Sequence, residues 1–433
     1  MEKSNLYMEG DRVEYLHHQV QSLKRSVKRS MFAVATLAVV VVGLLIALIA
    51  VGASQGKSIK NLKHRPEIIK NPTVAFATGR KDNNVEGFTY GGSLFRGSGF
   101  WSTKASLPGK LTDHAVVGYN NDNVFIIGGA KEDGNVTNEV WMYDAVLHSY
   151  TMRTPMPEAR YRFGAALVKD KIYVVGGRNI SLDDNEAMVK STFIYDIQAN
   201  KWSRGKNSLE YHSDTCADSL DGKVYMIGGY GANYSYLNVA EVYDPVMDDW
   251  SSLPSMPTAR GDHMCVAAAG EIYVLGGYYD DPQNSNNSFS DKMESYNPDS
   301  KKWTSRPSLL TPRGDAGIAL LPGDKIMLIG GEGHYKNESD FKYPKHVNEV
   351  YYISDQTWVE KAMIPTARFR TAAAQVGGLA YVFGGADLCI DKSVCPALNT
   401  TEVYLDVDHP HVYIYLQNDP YYNDNAALSL YPF

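Results

Sequence analysis

Between residues 98 and 417 short apolar runs alternate with polar turns, and the runs are too brief and too rich in β-branched residues to be helices. Six runs end on Gly-Gly: NVFIIGG, KIYVVGG, KVYMIGG, EIYVLGG, KIMLIGG and LAYVFGG, closing at Gly129, Gly177, Gly229, Gly277, Gly331 and Gly385. Their spacings are 48, 52, 48, 54 and 54 residues. Each run is apolar at nearly every position, as a strand covered on both faces must be. A second apolar run follows each, ending on Tyr143, Tyr195, Tyr243, Tyr296, Tyr351 and Tyr404. Seven residues further stand Tyr150, Trp202, Trp250, Trp303, Trp358 and His411. The turn formers between them, such as 244–249 and 297–302, predict a tight hairpin. Two large aromatics at this offset fall on paired strands, where they can pack between neighbouring sheets.

A repeat of about 50 residues built of short strands predicts an all-β propeller with one four-stranded blade per repeat. A lone blade exposes apolar faces, so neighbours must stack and the ring must close. Gly-Gly, a downstream Tyr-Asp and a Trp together resemble the Kelch repeat family over residues 98–417. Tyr351 and Tyr404 lack the following Asp, and Tyr150 and His411 stand where the pattern has Trp. Two segments compete to complete the sixth blade: Phe100-Trp101, whose Trp lies 49 residues before Tyr150, and His411–Tyr415. A truncated seventh blade from 73–104 is the third alternative.

Ahead of the repeats, Met31–Ala53 is a run of 23 residues without a charge. That length crosses a hydrocarbon core of about 30 Å at 1.5 Å per residue and exceeds the usual signal-peptide core. It predicts a single transmembrane signal anchor over 31–53, between a cytoplasmic segment 1–30 and a stem 54–97, with a tail over 418–433. Lys and Arg flank the run on both sides, so charge does not orient it. The sequons do: Asn135, Asn179, Asn233, Asn286, Asn337 and Asn399 all follow the run, one per blade, between Gly-Gly and the Tyr strand. Glycans there predict a type II protein with the propeller outside the cytosol, in the Golgi or secretory pathway or at the plasma membrane. Val13, Leu16, Val20, Leu23 and Val27 have heptad spacing over only two heptads, which reads either as an amphipathic helix continuing the span or lying on the membrane surface, or as a seam that would allow a homodimer through the cytoplasmic segment.

Four cysteines are too few for a disulfide scaffold. Cys389 and Cys395 share one loop and are expected to bridge, whereas Cys216 and Cys265 read as free buried thiols. No cysteine–histidine set has zinc spacing. The formal net charge of −7 argues against a nucleic-acid partner.

Aligning the repeats backwards from Gly-Gly puts a basic residue at each innermost strand's entry: Lys110, Arg160, His212, Arg260, Arg313 and Arg368. Kelch resemblance implies a binding role for arginines of this position. Arg160, Arg260, Arg313, Arg368 and His212 are therefore the expected ligand-binding set, suited to an anionic protein or glycan. The alternative is that these side chains cap the entry turns. A second resemblance, to galactose and glyoxal oxidases, would imply copper held by Tyr and His. Tyr211, His212, His114, His263 and Cys216 imitate that inventory, but three of the histidines come from three blades without a common pattern. The expectation is a membrane-anchored binding module without cofactor, with carbohydrate or copper-radical oxidase chemistry as the alternative.

Overall fold

The computed structural model describes residues 99–406 except 180–187, 281–286, 336–337 and 390–394, together with the strand pairs 89–90 with 93–94 and 414–415 with 429–430. The apolar run 31–53, the heptad segment, Asn286, Asn337 and His411 lie outside the described residues. Among the described residues no helix is long and apolar enough to cross a membrane.

Six four-stranded antiparallel blades make up residues 100–405. From the inside outwards, blade 1 is Ala115–Tyr119, Asn123–Ile127, Val140–Asp144 and Ser149–Met152. Blades 2 to 5 repeat this order, with innermost strands Gly164–Val168, Cys216–Leu220, Met264–Ala268 and Gly317–Leu321. Blade 6 takes three strands from the end of the repeat region, Ala372–Val376, Leu379–Phe383 and Thr401–Leu405. Its fourth is Phe100–Lys104, paired so that Trp101 faces Tyr404. The first of the competing segments therefore closes the ring. Closure joins the first and last strands of residues 100–405 in one sheet and leaves none of the six blades with a missing outer strand.

The seven-residue offset becomes a cross-strand pair in blades 1 to 5: Tyr143 with Tyr150, Tyr195 with Trp202, Tyr243 with Trp250, Tyr296 with Trp303 and Tyr351 with Trp358. In blade 6 Tyr404 pairs instead with Trp101, from the other end of the repeat region. Ring centroids in these pairs lie 4.8 to 5.3 Å apart. Each outer aromatic also donates a hydrogen bond to a carbonyl just beyond the outer strand of the preceding blade. Examples are Trp202 to Thr154 at 2.8 Å, Trp303 to Pro254 at 2.7 Å and Trp101 to Ala362 at 2.8 Å. Tyr150 reproduces the bond with its hydroxyl, to Ala105 at 3.1 Å, which explains why Tyr substitutes for Trp there. The apolar core accordingly lies between blades: Val124 and Tyr143 of blade 1 share one cluster with Tyr381 and Phe383 of blade 6.

Gly-Gly works at the same seams. The second glycine of each pair donates its N–H to the entry residue of the next blade, as Gly229 does to Arg260 at 2.9 Å and Gly385 to Leu111 at 2.8 Å. Gly129 has a φ of 100°. A side-chain carbon there would come within 2.6 Å of the Thr112 carbonyl, so the close approach itself demands glycine.

All four cysteines are paired. Cys389 bridges Cys395 as expected. Cys216 and Cys265 correct the expectation of free thiols: they form a disulfide between the innermost strands of blades 3 and 4, with Cα atoms 5.7 Å apart. They are 49 residues apart in sequence, about one repeat, so stacking brings offset positions of adjacent blades face to face.

Candidate functional site: the channel mouth

The arginine set expected to meet a ligand lies inside the blades instead. Arg160, His212, Arg260, Arg313 and Arg368 have no accessible surface. Arg260 donates to Glu294 at 2.6 Å and to the carbonyls of Gly276 and Lys292. Arg313 pairs with Glu349, and Arg368 with Glu402, in the same geometry. His212 takes the equivalent place against Gly228 and Glu241. Arg160 has no such glutamate; it bonds Ser191 at 2.7 Å and lies 4.5 Å from the Phe193 ring centroid. Burial pulls the Arg260 guanidinium down to about 10 while Glu294 pushes the other way. These side chains tie the entry turn to the second and third strands of their own blade, and no guanidinium is left to fork onto an anionic ligand. Lys110 falls out of the series: Leu111 occupies the equivalent place, and Lys110 is an exposed partner of Glu132.

What faces the channel lies two residues further along each entry turn. Asp113, Arg162, Asp214, Asp262, Asp315 and Arg370 hold one structural position in six blades, all in the left-handed region with φ from 50° to 54°. Hydrogen bonds link their backbones at five of the six junctions, with N–H donating to the preceding blade's carbonyl: Arg162 to Asp113, Asp214 to Arg162, Asp262 to Asp214, Asp315 to Asp262 and Asp113 to Arg370, at 2.9 to 3.1 Å. Asp dominates here because its short polar side chain tolerates the left-handed backbone better than most. The ring surrounds a cavity of about 120 Å³.

Charge around this ring is uneven. Arg162 bonds Asp113 at 2.8 Å and Asp214 at 2.7 Å, and Arg178 adds a second cation to Asp214 at 3.1 Å. Burial would raise the Asp113 carboxyl, but Arg162 and Arg370 outweigh it and hold it below the usual range. On the opposite side Arg370 stands 3.9 Å from both Asp113 and Asp315. Burial, followed by the charges of Asp262 and Glu332, pushes Asp315 well above the usual carboxylate range. Asp262 accepts a hydrogen bond from Tyr230 at 2.8 Å. Four Asp against two Arg leave the ring acidic in sum.

The oxidase inventory is not brought together. Cys216 is bonded to Cys265 and so has no thiol to join a tyrosine. His212 is committed to Gly228 and Glu241, and Tyr211 is exposed. Burial lowers His114 to about 4 and His263 to about 3, so both imidazoles are neutral at pH 7. Of the sequon asparagines described, Asn135 and Asn233 are exposed, and Asn179 and Asn399 half-buried.

The Attractin/LZTR1 beta-propeller family model matches residues 146–394, more than half of the chain. Among curated proteins, Kelch-like protein 23 of Homo sapiens is 27% identical over 266 residues, 60% of this chain and 43% of that protein. Beta-scruin of Limulus polyphemus is 27% identical over 288 residues, 65% of this chain and 31% of its own length. The Kelch-like protein terF of Aspergillus terreus is 29% identical over 271 residues, 58% of this chain and 57% of that protein. The chain thus spans less than half of the first two. Among solved structures, that of YjhT superposes with a TM-score of 0.59 over 70% of this chain and 97% of YjhT, at 14% identity, a likeness of fold.

Proposed function

This chain belongs to the Attractin/LZTR1 beta-propeller family, and on that basis we propose that its propeller is a protein-binding module whose channel mouth receives a basic side chain of the partner. The observation that carries this reading is the charge of the six-residue ring, four Asp against two Arg, with Asp262 and Asp315 close enough for each other's charge to be felt. An ammonium or guanidinium entering there would form charge-assisted hydrogen bonds and relieve the repulsion between the two carboxyls. The polarity is the reverse of the anionic ligand expected from the buried arginines.

The test is a displayed peptide library selected against the purified full chain. Enrichment of Lys or Arg is expected, with binding that weakens as salt rises and falls at least tenfold in the Asp262→Asn, Asp315→Asn double variant. Enrichment of acidic peptides, or equal binding by a double variant with an unchanged melting temperature, would sink the reading.

The propeller is further proposed to stand outside the cytosol, anchored through 31–53 and glycosylated on the loops after Gly-Gly. Two disulfides that use every cysteine support an oxidising compartment. One sequon per blade supports glycosylation. An N-glycosidase should lower the apparent mass of membrane-derived protein; an unchanged mass would remove the argument for orientation. The heptad positions Val13 to Val27 would pair two chains on the cytoplasmic side, which cross-linking at that segment checks.

A further inference from the structure

Beside the channel mouth, between blades 3 and 4, lies a second and larger cavity of about 630 Å³. Tyr230, Tyr234, Tyr236 and Tyr279 supply its aromatic walls, and Ser235, Asp280 and Lys292 its polar groups. Tyr230 and Tyr236 pack as a tilted pair with centroids 5.1 Å apart, and Tyr234 stands 6.3 Å from Tyr230. The walls are held from behind. Arg178 donates to the Tyr234 hydroxyl at 2.5 Å, Tyr230 donates to Asp262 at 2.8 Å, and Lys292 sits 5.1 Å from the Tyr279 centroid. Tyr234 itself is in the left-handed region at φ 54°, a costly conformation for a bulky residue, kept by a turn in which the Gly231 N–H donates to the Ser235 carbonyl and the Tyr234 N–H to the Gly231 carbonyl.

We propose that this cavity is a saccharide site that takes a neutral sugar. Several aromatic faces with a few placed polar groups, in a volume of this size, match small-ligand pockets in general. Among such ligands a pyranose presents C–H faces for the tyrosines and hydroxyls for Asp280, Ser235 and Lys292. The one carboxylate and one ammonium in the lining cancel, so the cavity offers no net charge to a sialylated or sulfated sugar. This inference is independent of the basic side chain proposed for the mouth, since it uses none of the ring's carboxylates as ligand contacts.

Two sources share the chemistry. Asn233 is exposed, and two residues on Ser235, the hydroxyl residue of its sequon, lines the cavity. The sugar is either the chain's own Asn233 glycan, folded back onto the tyrosines, or a glycan of another molecule. A glycan array probed with the full chain and with its Asn233→Gln variant separates them. Binding of neutral oligosaccharides by both forms assigns a foreign glycan; binding that appears only in Asn233→Gln assigns the chain's own. In either case Tyr236→Ala and Asp280→Ala, added singly, should reduce the signal at least tenfold without moving the melting temperature. Absence of binding in every form, a preference for acidic glycans, or binding indifferent to both substitutions would overturn the proposal.

Discussion

Arg260 and Glu294 show what the repeat's basic residue does. The pair is buried, and removing one partner strands the other charge, which costs about 3–5 kcal/mol. Arg260→Ala should therefore lower stability to chemical denaturation by that amount. Arg160→Ala should cost visibly less, because its neighbours are Ser191, the Phe193 ring and Glu158, whose side chain is 43% exposed, so that no buried carboxylate is abandoned. Equal losses would show that the glutamate is irrelevant. Asp218 is a second case. It accepts the Ala267 N–H at 2.7 Å across the blade 3–4 seam, and burial raises its carboxyl from 3.8 to about 6. Between those values the folded state holds a proton that the unfolded state has lost, so Asp218's contribution is fully present below about pH 4 and is lost as pH rises through 6. Asp218→Asn should flatten the fall in stability between pH 4 and 6; an unchanged slope would assign it to other groups.

Closure of blade 6 is the element on which the ring depends. Phe100–Lys104 is one strand, yet it carries the Trp101 stack on Tyr404 and the indole bond to Ala362 of blade 5. Trp101→Ala should cost about 3 kcal/mol, and Trp101→Phe, which keeps the ring but loses the donor, about 1 kcal/mol. The measurement is the denaturation midpoint. If Trp101→Ala were no worse than Trp101→Phe, the stack would contribute nothing and the strand would be held by its backbone ladder alone. The strand's place was legible from spacing, since Trp101 continues the Trp series. Its competitor, His411–Tyr415, is also a good strand by β-propensity, and pairing with Thr401–Leu405 decided for Phe100–Lys104.

Across the whole molecule, the Cys216–Cys265 bridge joins two blades that otherwise touch through packed side chains and seam hydrogen bonds. A loop of about 50 residues gives at most about 4 kcal/mol in the chain-entropy account. The Cys216→Ala, Cys265→Ala variant should lose 2–4 kcal/mol, roughly. Reducing agent should lower the melting temperature of the native chain and leave the variant's unchanged. If reductant lowers both equally, the Cys389–Cys395 bridge carries the effect.

Repeat period, strand order within a blade, the aromatic pairs of blades 1 to 5 and the Gly-Gly positions were determined by the sequence, because each depends on local spacing copied along the repeats. The partners of the entry arginines were also written there, unread. Glu241, Glu294, Glu349 and Glu402 each stand two residues before the Tyr, in just the blades whose entry residue is His212, Arg260, Arg313 or Arg368, while Phe193 takes that place opposite Arg160. That correspondence marks internal pairs. Tertiary structure alone decided which entry residue faces the channel, since a left-handed turn rotates the side chain two places beyond the arginine toward the axis. It likewise decided that Cys216 meets Cys265 and that tyrosines from two blades share one cavity, because ring stacking, not sequence distance, sets those neighbours.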